Sequence, residues 1–138
     1  MTFTRERAVH FDDVDAAQIV FFGRFFGYCH EALEAFFEGL EGGYSGLVIN
    51  RKIGFPVVHI EADFSSPLRY GDTARISVEV TKVGNKSTTF RFTFKRAKDG
   101  VLVATIHHTC AVTDLVALRA VPIPADVRTI LEAHLLAG

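Results

Sequence analysis

A strict alternation of phenylalanine with polar residues runs through residues 89–95, within a predicted strand over residues 86–95. Phe90, Phe92 and Phe94 occupy every second position, and the residues between them are polar or charged. Successive side chains of a β-strand point to opposite faces, so this stretch predicts a strand with one buried face and one wet face. Such a strand needs neighbouring strands and an element that covers its apolar face, which excludes an all-helical fold.

A helix predicted over residues 24–40 supplies that covering element. Its apolar residues recur at steps of three and four, with acidic residues on the opposite side, and glycines follow its last turn. The apolar positions are Phe25, Phe26, Cys29, Leu33, Phe36, Phe37 and Leu40.

The remaining pattern predicts more strands and a closing helix. The order is strand, long helix, and then four or five strands, which favours one α+β domain over residues 1–138. In it, an antiparallel sheet of five or six strands wraps around the central helix, and a short C-terminal helix closes the chain. The other predicted strands cover residues 4–11, 57–64, 72–83 and 101–114, with 118–122 continuing the sheet, an irregular or short helical segment at 44–54 and the last helix at 124–136.

Charge and composition restrict the classes of function. The net charge of −1 argues against nucleic-acid binding, which needs a basic face. Cys29 and Cys110 are too few for a disulfide framework and lie in apolar stretches. No apolar run approaches the roughly 18 residues of a membrane span. The N-terminal residues are charged, so we expect a soluble cytoplasmic protein that has no membrane or nucleic-acid partner.

The acidic loop Asp12-Asp13-Val14-Asp15 is the most unusual local feature. Several aspartates together are typical of a solvated loop or of helix caps. Asp15 differs because it precedes a helix start and lies beside apolar residues. Exclusion of water by these residues would raise the pKa of the carboxylate and make it a stronger base or nucleophile. The helix N-terminus also offers unpaired backbone N–H groups to a developing oxyanion.

Residues 11–22 resemble the signature of the 4-hydroxybenzoyl-CoA thioesterase family, roughly Asp-x-Asp-(Pro/Ala)-(Ala/Gly)-Gly-(Ile/Val)-Val-Tyr. Two further motifs follow in the same order, Pro-Val-Val at 56–58 and Ser-Pro-x-x-x-Gly-Asp at 66–72. The resemblance implies a hot-dog fold and hydrolysis of an acyl-CoA thioester. It also implies that coenzyme A is part of the substrate, with no separate cofactor and no metal.

The resemblance assigns roles to individual residues. Asp15 matches the carboxylate that either attacks the thioester carbonyl or activates a water molecule, while Asp13 matches the first aspartate and is interpreted as structural. The backbone N–H of Phe22, helped by that of Gly23, matches the oxyanion donor. For coenzyme A, the family's basic stretch falls at Lys86 and Ser87, and Arg69 is a further candidate cation.

Departures from the family pattern leave the acyl group open. Gln18 replaces the motif glycine, so it either changes the loop or places an amide near the acyl group. Phe21 replaces the tyrosine, and Arg24 stands where many relatives have asparagine. His30 replaces the acidic residue that helps the 4-hydroxybenzoyl-specific members to recognise the phenol group of the substrate. It is either a polar group of the pocket or an ordinary helix-face histidine.

Two other functions are alternatives to hydrolysis for a hot-dog protein. A hot-dog hydratase or dehydratase pairs an aspartate with a nearby histidine, but the first histidine after Asp15 is His30. A non-catalytic acyl-CoA-binding protein would bind the thioester without hydrolysing it.

The resemblance further implies a homodimer or homotetramer in which the active site lies between subunits. Adjacent His107 and His108 point to opposite faces of a strand, and zinc-ligand spacing is absent.

Overall fold

The computed structural model describes residues 2–136, which form a five-stranded antiparallel sheet and a separate three-stranded sheet. Within these residues no helix is long and apolar enough to cross a membrane. The strands are β1 Phe3–Ala8, β2 Ile53–Gly54, β3 Val57–Phe64, β4 Thr73–Val83, β5 Ser87–Arg96, β6 Leu102–Ala111, β7 Thr113–Asp114 and β8 Arg119–Ala120. The helices are α1 Arg24–Phe36, α2 Gly43–Ser45 and α3 Ala125–Ala133, with 3-10 turns at Phe11–Asp13 and Phe37–Gly39 and a π turn at Gly46–Asn50.

The large sheet has the order β1-β4-β5-β6-β3, and α1 packs on its apolar face. The alternation predicted for β5 is confirmed, because Phe90, Phe92 and Phe94 are fully buried. The ring of Phe25 near the start of α1 lies 5.2 Å from that of Phe94, and the ring of Phe36 at its end lies 5.9 Å from that of Phe90. Each fully buried phenylalanine contributes about 1.5–3 kcal/mol by leaving water.

The predicted continuation of the sheet over residues 118–122 is wrong. β8 pairs with β7, which in turn pairs with β2, and these three short strands form the small separate sheet. The physical reason is that β6 already has β5 on one side and β3 on the other, so no free edge of β6 remains for another strand. The predicted strand 101–114 accordingly ends as β6 at Ala111, and β7 follows after Val112.

One edge of the large sheet carries exposed apolar side chains. β3 is the outermost strand on this side and pairs only with β6 within residues 2–136. Its Val58, Ile60 and Phe64 are 64%, 44% and 47% exposed. An unpaired edge with an apolar face is a template for pairing with another strand.

Candidate active site

Residues 14–20 form a tight hairpin with Asp15 at its base. The N–H of Asp15 donates to the carbonyl of Ile19 at 3.1 Å, and the N–H of Gln18 donates to the carbonyl of Asp15 at 2.9 Å. Val14 and Val20 pair as an isolated antiparallel bridge that closes the hairpin. The position of the acidic side chain is therefore determined by backbone hydrogen bonds on both sides of it.

Gln18 replaces the motif glycine without changing the type of backbone conformation, and a place for its amide near the acyl group stays a prediction. Its backbone has φ = +68°, which is the left-handed conformation that glycine adopts without strain. The loop thus keeps a shape suited to glycine, and the side chain of Gln18 lines the same surface depression as Asp15.

The carboxylate of Asp15 is open to solvent in the single chain. The residue is exposed, and its Oδ1 accepts a hydrogen bond from the N–H of Ala17 at 2.9 Å. The water-excluding environment expected from the neighbouring apolar residues is not provided by one chain alone, because Ile19, Phe21 and Phe22 lie beside the carboxylate without covering it.

Two backbone donors stand at the start of α1. The N–H of Phe21 donates to the carbonyl of Asp13, and that of Arg24 donates to the carbonyl of Phe21. Between them, the N–H groups of Phe22 and Gly23 make no backbone hydrogen bond within residues 2–136. A Cβ atom at Gly23 would lie 2.8 Å from Cε2 of Phe21, so glycine here permits the Phe21 ring to lie against the helix start.

Asp15 and Phe22 line one cavity of about 550 Å³, which we call the apolar cavity. Its volume is in the range that holds a small-molecule ligand. It lies between the helix start and the loop that follows β3, and Asp15 is the only charged residue that lines it among the described part of the chain. The lining residues are Asp15, Ile19, Val20, Phe21, Phe22, Phe25, Phe64, Ser65, Ser66, Pro67 and Leu68.

A second depression, of about 610 Å³, also reaches Asp15, and we call it the aromatic groove. It brings Gln18 and Arg69 together with Asp15, and their predicted role in substrate binding stays a prediction. Two large aromatic residues in it were not expected. Phe11 was predicted to end the strand 4–11 but begins a 3-10 turn after β1, and Tyr70 stands in a turn sequence with no periodicity that marks it. The lining residues are Phe11, Asp12, Val14, Asp15, Gln18, Arg69 and Tyr70.

Lys86 and Ser87 do not reach these cavities in the single chain. Ser87 begins β5 and pairs with Ala111. The apolar cavity lies at the opposite end of the sheet, where Ala104 pairs with Phe64 on one side and with Phe94 on the other. Seven residues of strand separate Ser87 from Phe94, a distance of about 23 Å at the usual rise. Their predicted role in coenzyme A binding stays a prediction.

His30 also lies away from both cavities. It is exposed on α1, where its Nε2 is 3.2 Å from Oε2 of Glu34 and its ring meets the Tyr44 ring edge-on at 5.9 Å. These contacts are those of a helix-face histidine. A role in reading the acyl group stays a prediction that needs a surface beyond the single chain.

The buried side chain of Asp13 stabilises the acidic loop by hydrogen bonds and an ion pair. Its buried carboxylate accepts the N–H of His10 at 2.7 Å and the guanidinium of Arg7 at 3.3 Å, and Arg7 also pairs with Glu31 at 2.8 Å. Burial alone would raise the pKa of Asp13, but the His10 N–H, the neighbouring Tyr28 hydroxyl and Arg7 together outweigh it and keep the pKa below its usual range. His10, Asp12 and Asp13 could offer a cation three ligand atoms within 4.8 Å, yet the Asp13 carboxylate already has these partners.

Comparison with known proteins covers nearly the whole chain. Residues 9–131 match the thioesterase-like superfamily. A 1,4-dihydroxy-2-naphthoyl-CoA hydrolase of Nostoc punctiforme is 34% identical over 110 residues, which cover 80% of this chain and 74% of the relative. A thioesterase superfamily structure from Jannaschia sp. CCS1 is 29% identical with a TM-score of 0.89, over 99% of this chain and 94% of the other. The structure of 4-hydroxybenzoyl-CoA thioesterase from Pseudomonas sp. strain CBS-3 is 26% identical with a TM-score of 0.83, over 94% and 98%.

Proposed function

Because this chain belongs to the thioesterase-like superfamily, we propose that Asp15 drives its hydrolysis of an aryl- or acyl-CoA thioester to the free carboxylic acid and coenzyme A. The family resemblance and the hot-dog fold expected from the sequence are confirmed, and the protein is a thioester hydrolase. One observation carries the assignment of residues: Asp15 and Phe22, at the helix start, line the same cavity, and the N–H of Phe22 has no backbone acceptor in the part of the chain that the structure describes.

In this proposal the thioester carbonyl lies between the carboxylate and the helix start. The carbonyl oxygen points to the N–H groups of Phe22 and Gly23, which stabilise the negative charge that develops on it. Asp15 acts by one of two routes. Its oxygen attacks the carbonyl carbon, expels the thiolate and leaves an anhydride for water to cleave, or it takes a proton from the water molecule that attacks.

We propose an aryl group as the first acyl candidate. The rings of Phe22, Phe25 and Phe64 line the apolar cavity, and a flat aromatic group would find favourable edge and face contacts there. The Nostoc and Pseudomonas relatives are named for 1,4-dihydroxy-2-naphthoyl-CoA and 4-hydroxybenzoyl-CoA. These two thioesters are the first to test, followed by short-chain and long-chain acyl-CoAs.

We propose that the working unit is at least a homodimer paired through β3. In an antiparallel pair of β3 strands, the Val57 end of one copy lies beside the Phe64 end of the other. Lys86 and Ser87 of a second copy would then approach the apolar cavity of the first, since they lie at the Val57 end of their own sheet. Pairing would also cover the exposed apolar edge and exclude water from Asp15.

The test is a release assay for free thiol over this acyl-CoA panel with wild type and Asp15→Asn. We expect Asp15→Asn to keep the fold and to lose turnover at least a hundredfold. Asp126→Asn, which alters an exposed acid on α3 that pairs with Arg51, is the matched control. Equal hydrolysis by Asp15→Asn and wild type would remove Asp15 from the mechanism, and binding without turnover would favour a non-catalytic acyl-CoA-binding protein.

We place the reaction in the cytoplasm and expect it to need no metal or cofactor. The free, buried thiols of Cys29 and Cys110 suit a reducing compartment. Activity of the purified protein should survive extended dialysis against a chelator. Loss of activity that is restored by one added cation would contradict this expectation.

A further inference from the structure

The apolar cavity and the aromatic groove have one lining residue in common, which is Asp15. A thioester carbonyl carries two substituents, the acyl group and the thiol arm, and these leave the carbonyl carbon in different directions. A substrate whose carbonyl is held at Asp15 can therefore place one substituent in each cavity.

The linings of the two cavities differ in chemistry. The apolar cavity presents mainly phenylalanine and aliphatic side chains, beside the helix start whose Phe22 and Gly23 N–H groups have no backbone acceptor within residues 2–136. The aromatic groove adds the amide of Gln18, the guanidinium of Arg69, the carboxylate of Asp12 and the phenol of Tyr70. The pantetheine arm of coenzyme A contains two amides and a hydroxyl group, so burying it requires hydrogen-bonding partners. The groove offers four polar side chains besides Asp15, whereas the apolar cavity offers the hydroxyl groups of Ser65 and Ser66.

An exposed aromatic pair forms the walls of the groove. Phe11 is 76% exposed and Tyr70 is 62% exposed, and their ring centroids lie 5.7 Å apart at an interplanar angle of 74°. These rings come from two distant segments of the chain, and neither residue belongs to the hydrophobic core described within residues 2–136. Contiguous exposed apolar surface next to polar groups is typical of a ligand site.

Rigid turns hold both aromatic residues in place. Phe11 begins a 3-10 turn that is closed by the N–H of Asp13 on the carbonyl of His10 at 3.0 Å. Tyr70 stands in a turn in which the buried carboxylate of Asp72 accepts the N–H of Arg69 at 2.9 Å. The groove is thus formed before a ligand binds, which lowers the entropic cost of binding.

We propose that the aromatic groove binds the pantetheine arm of the thioester substrate. Phe11 and Tyr70 contact the apolar links of the arm, and Gln18 exchanges hydrogen bonds with one of its amides. This inference rests on the proposed thioesterase function, with the acyl group in the apolar cavity. It separates recognition of the arm from recognition of the nucleotide, which is assigned to Lys86 of a second copy.

The experiment uses one acyl group on three thiols: coenzyme A, pantetheine and ethanethiol. We expect Tyr70→Ala to raise KM about tenfold for the first two substrates with kcat unchanged, because the lost contact is made equally in the ground and transition states. KM for the ethanethiol ester, which lacks the arm, should stay at the wild-type value. Tyr70→Phe keeps the ring and should raise KM less than threefold, and Val116→Ala, at a residue 75% exposed outside the groove, is the surface control.

Two results of this experiment overturn the inference. If Tyr70→Ala raises KM equally for all three substrates, the groove holds the part they share, which is the acyl group. If KM is unchanged for all three, the groove holds neither part. Failure of the proposed function is distinguishable, since wild type would then hydrolyse none of the substrates. Calorimetric titration with free pantetheine still decides in that case: about tenfold weaker binding by Tyr70→Ala supports the groove, and equal binding overturns it.

Discussion

Replacing Gln18 with glycine should stabilise the protein while changing its substrate binding. A non-glycine residue in the left-handed conformation bears roughly 1–2 kcal/mol of steric strain, and Gln18 stands there with φ = +68°. Glycine would remove this strain but lose about 0.5–1 kcal/mol through its greater freedom in the unfolded chain. The difference predicts a gain of about 0.5–1 kcal/mol in the free energy of unfolding, or about 2–3 °C in Tm for a chain of this size.

The assay is urea unfolding followed by circular dichroism, together with KM for an acyl-CoA. Gln18→Ala separates the two effects, because alanine keeps the backbone strain while removing the amide from the aromatic groove. Lys52→Gly is the matched backbone control, since Lys52 also has a positive φ of +58° but does not line either cavity at Asp15. It should gain a similar stability with unchanged KM.

A Gln18→Gly protein less stable than wild type would contradict the expected relief of strain. The loop would then depend on contacts of the Gln18 side chain more than it suffers from the backbone conformation. Equal stability of Gln18→Ala and Gln18→Gly would also refute it, because only glycine relieves the strain.

Three further predictions address the core, the helix start and the sheet edge. Burial against aromatic rings lowers the pKa of His108 from its ordinary value of 6.5. The neutral imidazole therefore contributes stability that is fully present above pH 6.5 and is lost as the pH falls through the folded-state pKa. Urea unfolding at neutral and mildly acidic pH should show this loss, and a His108→Leu protein with the same difference between the two pH values would contradict it. Gly23→Ala should displace the Phe21 ring, which its Cβ would approach to 2.8 Å, and lower kcat while the fold is kept; a wild-type kcat would mean that the ring position is unimportant. Val58→Lys should block β3 pairing, shift the protein toward the monomer in sedimentation and lower activity about tenfold or more. The control Val116→Lys should do neither. An unchanged assembly for Val58→Lys would count against the proposed dimer.

Local patterns predicted most of the secondary structure because they depend on neighbouring residues. The alternation around Phe92 and the helical spacing from Phe25 to Phe36 each reflect one face turned to the core, and both are confirmed. The continuation of the sheet at 118–122 failed for a different reason. Whether β8 joins the large sheet depends on which edge is free, and β3, which lies more than 50 residues earlier in the chain, already occupies it.

The alternation, the amphipathic helix and the acidic motif that ends at Asp15 can all be recognised in the sequence, since each involves residues close together along the chain. Which distant residues meet depends instead on the folded arrangement. It joined Phe11 with Tyr70 in a groove beside Asp15, and it placed Lys86 at the other end of the sheet. These outcomes follow from strand order and register, which are set by the packing of the whole sheet against α1 and leave no periodic signal at the residues concerned.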